Sequence, residues 1–174
     1  MAGLAVAAAA ATTVVAAAPA DATPVSQLRL GGYSAVNATA YRSLSYQDNG
    51  RVYFRAGRYL CQMGPQPGSV ACKGYTRTAP TGWPGVQGVA ITQDQQGPWW
   101  VPNNPWSDFK IGPRSHFRVP ALPVGKRISV YGATCARMNA GTVGCATTNR
   151  GFVLNRAGHK FYVPRGDNRH AGRS

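Results

Sequence analysis

The chain has 174 residues, of which 19 are Lys or Arg and 5 are acidic, so its formal net charge is +14 at pH 7. This charge favours anionic partners, and the length suffices for one ordinary domain or two small ones that pack closely. The basic residues are scattered, without a polybasic block or an aromatic RNA-recognition motif. Composition therefore argues against a specific nucleic-acid module.

Residues 1–22 have the composition of a signal peptide. Residues 3–18 are almost entirely Ala, Val, Leu and Thr, a run suited to a signal peptide and too short and weakly apolar for a membrane span. Small residues fit cleavage after Ala20 or Ala22, although no Lys or Arg precedes the apolar run. We therefore expect export and no transmembrane anchor in the mature chain. The alternative is a buried Ala-rich helix.

A cysteine-bearing pattern occurs twice in the remaining chain. Gly68-Ser-Val-Ala-Cys72 returns as Gly141-Thr-Val-Gly-Cys145, and a partner cysteine lies upstream of each copy, at Cys61 and Cys135. Flanking segments recur as well: Gly50-Arg-Val-Tyr-Phe-Arg-Ala-Gly57 with Gly125-Lys-Arg-Ile-Ser-Val-Tyr-Gly132, and Trp99-Trp100-Val101-Pro102 with Phe161-Tyr162-Val163-Pro164. The pattern predicts two related units in tandem.

Four cysteines in an exported chain indicate two disulfides. A metal site is disfavoured because no two cysteines have the close C-x-x-C spacing that zinc usually needs, and we expect no cofactor. Four cysteines allow three pairings. If the two units fold alike, Cys61 pairs with Cys72 and Cys135 with Cys145. Each link closes a short loop, which stabilises the fold by about 3 kcal/mol because it lowers the conformational entropy of the unfolded chain.

Short β-branched and aromatic runs predict strands throughout the mature chain, at residues 52–54, 89–91, 99–101, 128–130, 152–154 and 161–163. No helical apolar period persists for about ten residues. The cysteine pairs would link neighbouring antiparallel strands, with turns at residues 64–68 and 138–141. We therefore expect an all-β fold, in which two tandem, structurally similar, disulfide-stapled antiparallel units pack into one compact body.

The expected organisation of the chain follows from these units. Residues 76–85, rich in Pro and Gly, form a loop inserted in the first unit. The Arg165-Gly166-Asp167 tripeptide would match an adhesion signal, but three common residues occur together by chance. The expected segments are a signal peptide (1–22), an N-terminal segment (23–49), the first unit (50–102), a connection (103–124), the second unit (125–164) and a flexible basic tail (165–174).

Several short motifs surround the cysteines: Tyr53-Phe54, Cys61, Val70-Ala-Cys72, Gly132-Ala-Thr-Cys135, Gly141-Thr-Val-Gly-Cys145 and Gly151-Phe-Val-Leu154. Together they resemble a group of small secreted two-disulfide proteins of mycobacteria and related actinobacteria, whose function is not established. The similarity covers about residues 31–162. It implies export, paired cysteines and an actinobacterial origin, and it carries over no catalytic residue. Arg55-Ala56-Gly57 departs from the Thr-Pro-Asp-Gly turn common in that family.

The tryptophans are the candidate ligand contacts, because a cluster of exposed indole rings could stack on sugars. Trp83 and Trp106 lie in predicted loops beside prolines, which would hold an exposed ring in place at low entropic cost. Trp99 and Trp100 are adjacent on a predicted strand, where neighbouring side chains point to opposite faces. We therefore expect one of these two in the core, and we favour packing over ligand contact for this pair.

Residues suited to catalysis are scarce. The body of the mature chain contains only Asp48, Asp94 and Asp108 as acids, and it has no G-x-S-x-G elbow. Paired cysteines would leave no thiol nucleophile. We therefore expect no catalytic site; the enzymatic alternative is a hydrolase that uses His116 and Asp108.

Charge and export together predict a secreted, non-catalytic, cell-envelope-associated protein that binds anionic polymers or lipids of the envelope by electrostatics. The alternative is a secreted effector or inhibitor that acts on a protein partner, since disulfide-stapled β units are suitable scaffolds. The simplest interpretation of the charge is a solvated basic surface without a specific partner. Salt-sensitive retention on envelope fractions would separate these alternatives.

Overall fold

The computed structural model describes residues 23–82, 85–92, 97–103 and 109–167. These ranges contain no α-helix, so the predicted β architecture is confirmed for the part of the chain that they cover. The strands are β1 (Ser34–Ala35), β2 (Val52–Ala56), β3 (Tyr59–Met63), β4 (Val70–Lys73), β5 (Val86–Ile91), β6 (Trp99–Pro102), β7 (Lys126–Val130), β8 (Ala133–Asn139), β9 (Thr142–Ala146), β10 (Gly151–Leu154) and β11 (His159–Tyr162). Within residues 23–51, four short 3-10 helices precede β2: η1 (Val25–Gln27), η2 (Leu30–Gly32), η3 (Ala38–Tyr41) and η4 (Tyr46–Asp48).

Two antiparallel meanders form the two sheets. Strands β2 to β6 follow one another in a five-stranded sheet. Strands β7 to β11 do the same in the second sheet, where β1 pairs parallel to β7 as a sixth strand. Neighbours in sequence thus pair in space, as expected for strands joined by short Gly- and Pro-containing turns.

The predicted apolar runs lie in these strands, with small differences at the ends. The run at 161–163 overlaps β11, which ends at Tyr162, and the amide of Val163 donates to the carbonyl oxygen of Thr23 at 3.1 Å instead of continuing the ladder. Strand β1 and the 3-10 helices were not predicted, because the segment before β2 has no apolar period to mark them.

Alternate residues of each sheet face a shared core. Val52, Phe54 and Ala56 of β2 are buried in one cluster with Phe152 and Leu154 of β10. Because side chains on a strand alternate between faces, this spacing turns one face of each sheet inward. The two sheets therefore pack face to face as a β-sandwich.

The two disulfides lie in this core. Cys61–Cys72 joins β3 to β4 and Cys135–Cys145 joins β8 to β9, each between residues directly opposite in the register. This is the pairing that the sequence predicts. The sulfurs of Cys72 and Cys145 are 3.7 Å apart, so the disulfides contact each other between the sheets. Two buried disulfides indicate an oxidising environment.

Segments outside the meanders cover the sheets. Leu28 and Leu30 are buried against Ala136 of β8 and Tyr162 of β11, on the face turned away from the shared core. The outer edge of β2 is covered too, because the Arg55 amide donates to Pro120 and Arg55 also accepts from Leu122. Within the described ranges, no helix is long and apolar enough to cross a membrane.

The first residues of the expected flexible tail are anchored. Arg150 donates to the carboxylate of Asp167 at 2.7 Å, and both side chains are buried. The carboxylate of the Arg165-Gly166-Asp167 tripeptide is therefore turned inward and unsuited to an adhesion receptor. Residues 168–174 lie outside the described part of the chain, as do residues 1–22.

Candidate anion-binding site

On the part of the surface that the structure describes, Lys and Arg far outnumber Asp and Glu. Seventeen of the nineteen Lys and Arg residues lie in the described ranges. The two acidic residues in these ranges, Asp48 and Asp167, have buried carboxylates. Asp94 and Asp108 lie outside the described residues. Where the structure describes the surface, every exposed charged side chain of the Asp, Glu, Lys and Arg types is therefore positive.

Three cations converge on one small cleft, which we call the cationic cleft. Arg51 directly precedes β2, whereas Lys110 and Arg114 belong to the connection between the two sheets. The cleft has a volume of about 50 Å³, and its lining consists of Arg51, Tyr53, Gln62, Phe109, Lys110, Gly112 and Arg114. Arg114 also borders a wider, shallow cleft together with Tyr46, Gln47 and Asn49.

Asp48 is buried behind the cationic cleft, and its hydrogen bonds hold the segments that line the cleft in place. Its carboxylate accepts hydrogen bonds from the Ser43 hydroxyl at 2.6 Å, the Tyr53 hydroxyl at 3.2 Å and the Arg114 amide at 2.7 Å. The hydroxyl of Ser115 donates to it as well. Burial raises the pKa of Asp48, but hydrogen bonds from Ser115, Ser43 and the Arg114 backbone outweigh burial, so the pKa lies below its usual value. The buried carboxylate is therefore ionised and ties η4, β2 and the connection together.

Two further contacts fix the remaining wall. The side-chain oxygen of Gln62 accepts from the Gly112 amide at 2.8 Å, which holds the connection against β3. Burial, followed by the negative charge of Asp48, raises the pKa of Tyr53 to about 12. The phenol therefore stays protonated near neutral pH and keeps donating to Asp48. Contacts within the protein therefore hold the backbone that carries the cationic side chains in place without a ligand.

The side chains of the cationic cleft are of the types that bind anions. Guanidinium and ammonium groups supply charge and hydrogen-bond donors, and arginine in particular can hold a phosphate or carboxylate with two parallel bonds. Arg51, Lys110 and Arg114 could therefore hold one anionic group between them. The Asp48 carboxylate is buried and already accepts hydrogen bonds from the protein.

The structure separates the two adjacent tryptophans as predicted from strand alternation. Trp99 is 36% exposed, whereas Trp100 packs against the shared core. The ring of Trp100 lies 5.5 Å from that of Phe161 and 4.8 Å from that of His159, measured between centroids. Burial lowers the pKa of His159, whose Nδ1 lies 2.5 Å from the Thr78 hydroxyl. Trp100 is therefore a packing residue, and Trp99 is the more exposed of the two.

Other candidate residues are only partly covered by the structure. Trp83, Trp106 and Asp108 lie outside the described ranges. His116 is exposed in the connection, so its pairing with Asp108 stays a prediction.

Three sulfurs lie close enough together to be considered as metal ligands. The Sγ atoms of Cys61, Cys72 and Cys145 fall within 4.8 Å of one another. All three are bonded in disulfides, so they provide no thiolate for a metal.

Sequence reasoning missed the cationic cleft because its three cations are dispersed along the chain. Arg51 lies about sixty residues before Lys110 and Arg114, and only the fold brings them together. The available signal was Asp48, an isolated acid in a chain poor in acids, placed beside a strand start. A carboxylate needs several hydrogen-bond donors once the fold buries it, and only the structure shows that Asp48 is buried.

No protein-family model, curated protein or solved structure matches this chain. The resemblance to secreted two-disulfide proteins of actinobacteria therefore stays a prediction.

Proposed function

We propose that this protein is exported and acts as a non-catalytic, cell-envelope-associated protein that binds anionic envelope polymers or lipids by electrostatics. The observation that carries this proposal concerns the part of the surface that the structure describes. It has many cations and no exposed Asp or Glu carboxylate. Such a surface produces a positive potential that attracts polyanions. The disulfides support export, because they form and persist in oxidising compartments.

Within this surface, the cationic cleft is the proposed site of closest contact. Arg51, Lys110 and Arg114 face one small volume, whereas other cations are spread over the sheets and turns. An anionic group in the cleft would contact several donors at once, and fixed walls reduce the entropy lost on binding.

Salt dependence tests the general proposal. The protein is applied to polyphosphate-coated beads and to isolated cell-envelope fractions at 0.1 M and 1 M salt. The Debye length falls from about 10 Å to about 3 Å between these conditions, so we expect retention at low salt and release at high salt. Unchanged retention at 1 M salt would contradict the electrostatic account. Absence of retention at 0.1 M would remove it and favour the protein-partner alternative.

Matched charge variants test the cleft. The triple variant Arg51→Gln/Lys110→Gln/Arg114→Gln removes the three cations of the cleft. The control Arg58→Gln/Lys73→Gln/Arg156→Gln removes two arginines and one lysine from exposed positions elsewhere. We expect the cleft variant to elute from polyphosphate at clearly lower salt than the control. Equal elution of both variants would show that binding is diffuse.

We also infer that the two meanders are a structural repeat. In each meander the disulfide joins the second strand to the third. The residue after the third-strand cysteine then pairs with a glycine of the fourth strand, as Lys73 with Gly88 and Ala146 with Gly151. This shared register supports the inference. Superposition of residues 50–102 on 125–164 tests it, and divergent strand paths would refute it.

A further inference from the structure

The two most exposed large apolar side chains of the described residues lie on one loop. Leu44 is 91% exposed and Tyr46 is 98% exposed, compared with 64% for Tyr75 and 52% for Val124. Both lie in residues 43–49, a segment between η3 and β2 that includes η4 and that we call the apolar tip. Two large apolar side chains are therefore exposed to solvent within one short segment of the chain.

Hydrogen bonds of other residues hold the conformation of the apolar tip. The Ser43 hydroxyl donates to Asp48 at 2.6 Å, and the Ser43 amide donates to the Arg51 carbonyl at 3.0 Å. The Asp48 amide closes the loop on the Ser45 carbonyl, also at 3.0 Å. The loop therefore keeps its shape while Leu44 and Tyr46 point into solvent.

Cations of the cleft lie directly beside the apolar tip. The Arg51 side chain donates to the Asp48 carbonyl at 3.3 Å, and the Arg114 amide donates to the Asp48 carboxylate at 2.7 Å. Arg114 and Tyr46 line the same shallow cleft. Apolar and cationic groups are thus presented together on one part of the molecule.

We propose that the apolar tip docks on an anionic lipid bilayer, with Leu44 and Tyr46 inserted at the interface and Arg51 and Arg114 on lipid phosphates. This inference rests on the proposed function and names its partner. A soluble acidic polymer would pair with the arginines and leave Leu44 and Tyr46 in water. A bilayer surface accepts both, since its headgroups bind cations and its interface accommodates leucine and the amphipathic tyrosine ring.

The test uses vesicles of phosphatidylcholine mixed with phosphatidylglycerol, and polyphosphate beads as a soluble-polymer counterpart. The variant Leu44→Ser/Tyr46→Ser removes the apolar side chains at unchanged net charge. The control Tyr75→Ser/Val124→Ser removes exposed apolar side chains from other positions. We expect the tip variant to bind vesicles at least about tenfold more weakly than the parent, as the loss of buried apolar area implies. Its retention on polyphosphate should match the parent, and the control should match in both assays.

Because Leu44 and Tyr46 are exposed, the tip variant should have the same Tm as the parent. This measurement separates a docking defect from a folding defect. Parent-like vesicle affinity of the tip variant would overturn the inference. Equal losses on vesicles and polyphosphate would overturn it too, because the tip would then contact polymer. A parent that binds polyphosphate but no anionic vesicle would refute docking on lipid and leave the proposed function standing. A parent that binds neither would refute both.

Discussion

At the scale of single residues, Asp48 connects the fold to the candidate site. Three side-chain hydroxyls and two backbone amides donate to one buried carboxylate, and they come from segments that are distant in sequence. Burying a charge is costly unless hydrogen bonds compensate it, and here the donors do so. The same carboxylate fixes the apolar tip through Ser43 and the cleft through Arg114.

Asp48→Asn should lower the free energy of unfolding at pH 7 by about 2 to 4 kcal/mol. The side-chain NH2 group of Asn would face the hydroxyl and amide groups that now donate to the carboxylate. The pKa of Asp48 is lowered in the folded state. Its stabilisation is therefore present above the unfolded-state pKa of about 3.9 and is lost as pH falls through the folded-state pKa. We expect the difference between parent and variant to be constant from about pH 5 upward and to shrink below about pH 4, measured by urea unfolding.

Ser115→Ala is the control for this prediction. It removes one donor and leaves the carboxylate with its other partners, so we expect a loss of about 1 kcal/mol. An Asp48→Asn variant as stable as the parent at pH 7 would show that the carboxylate is dispensable.

At the scale of elements, the recurring glycines have a steric cause. Gly88 in β5 and Gly151 in β10 each lie over the carbonyl oxygen of the cysteine in the preceding strand. A Cβ atom at either position would come closer than 3.0 Å to that oxygen. The two glycines therefore allow the fourth strand of each meander to approach the disulfide-bearing strand.

Gly88→Ala and Gly151→Ala should each destabilise the fold by about 1 to 3 kcal/mol, because the backbone must shift to relieve the contact. Gly141→Ala is the matched control, since a Cβ there would have no atom within 4 Å. We expect that control to stay within about 0.5 kcal/mol of the parent. Thermal unfolding followed by circular dichroism measures all three, and equal stabilities for the three variants would contradict the steric explanation.

Strand register gives a different correspondence between the two meanders from the one that the sequence motifs predict. Trp100 pairs with Val89, which follows Gly88, and Phe161 pairs with Phe152, which follows Gly151. Register thus matches Trp100 with Phe161, one residue away from the match between Trp99 and Phe161 that the sequence motifs suggest. Motif similarity aligns residue types, whereas backbone hydrogen bonds decide which residue faces the core.

At the scale of the whole molecule, the N-terminal segment completes the sandwich. Leu28 and Leu30 cover the outer face of the six-stranded sheet, and Thr23 accepts a hydrogen bond from Val163. The mature chain expected after cleavage at Ala22 would begin at Thr23 and retain these contacts.

A chain that begins at Thr23 should therefore be as stable as one that begins at Asp21. A chain that begins at Tyr33 should lose about 3 kcal/mol or more, because Leu28 and Leu30 are removed from their buried positions. Urea unfolding of the three chains measures this difference. Equal stability of the Tyr33 chain would show that the N-terminal segment is only a surface attachment.

The sequence alone was sufficient to predict the β architecture, the cysteine pairing and the sign of the surface charge. Strand runs at 52–54 and 152–154 reflect local alternation, the pairing followed from a repeated motif, and net charge is a sum over residues. None of these properties requires knowledge of which distant segments meet.

The tertiary structure decided the rest. Contact between Cys72 and Cys145, convergence of Arg51 with Arg114, and exposure of Leu44 depend on how two sheets and their connection pack. These features arise from contacts between segments far apart in the chain, and residue type does not encode such contacts locally. An apolar leucine is expected inside by composition, and only the packed structure shows that this one remains in solvent beside the cations of a cleft.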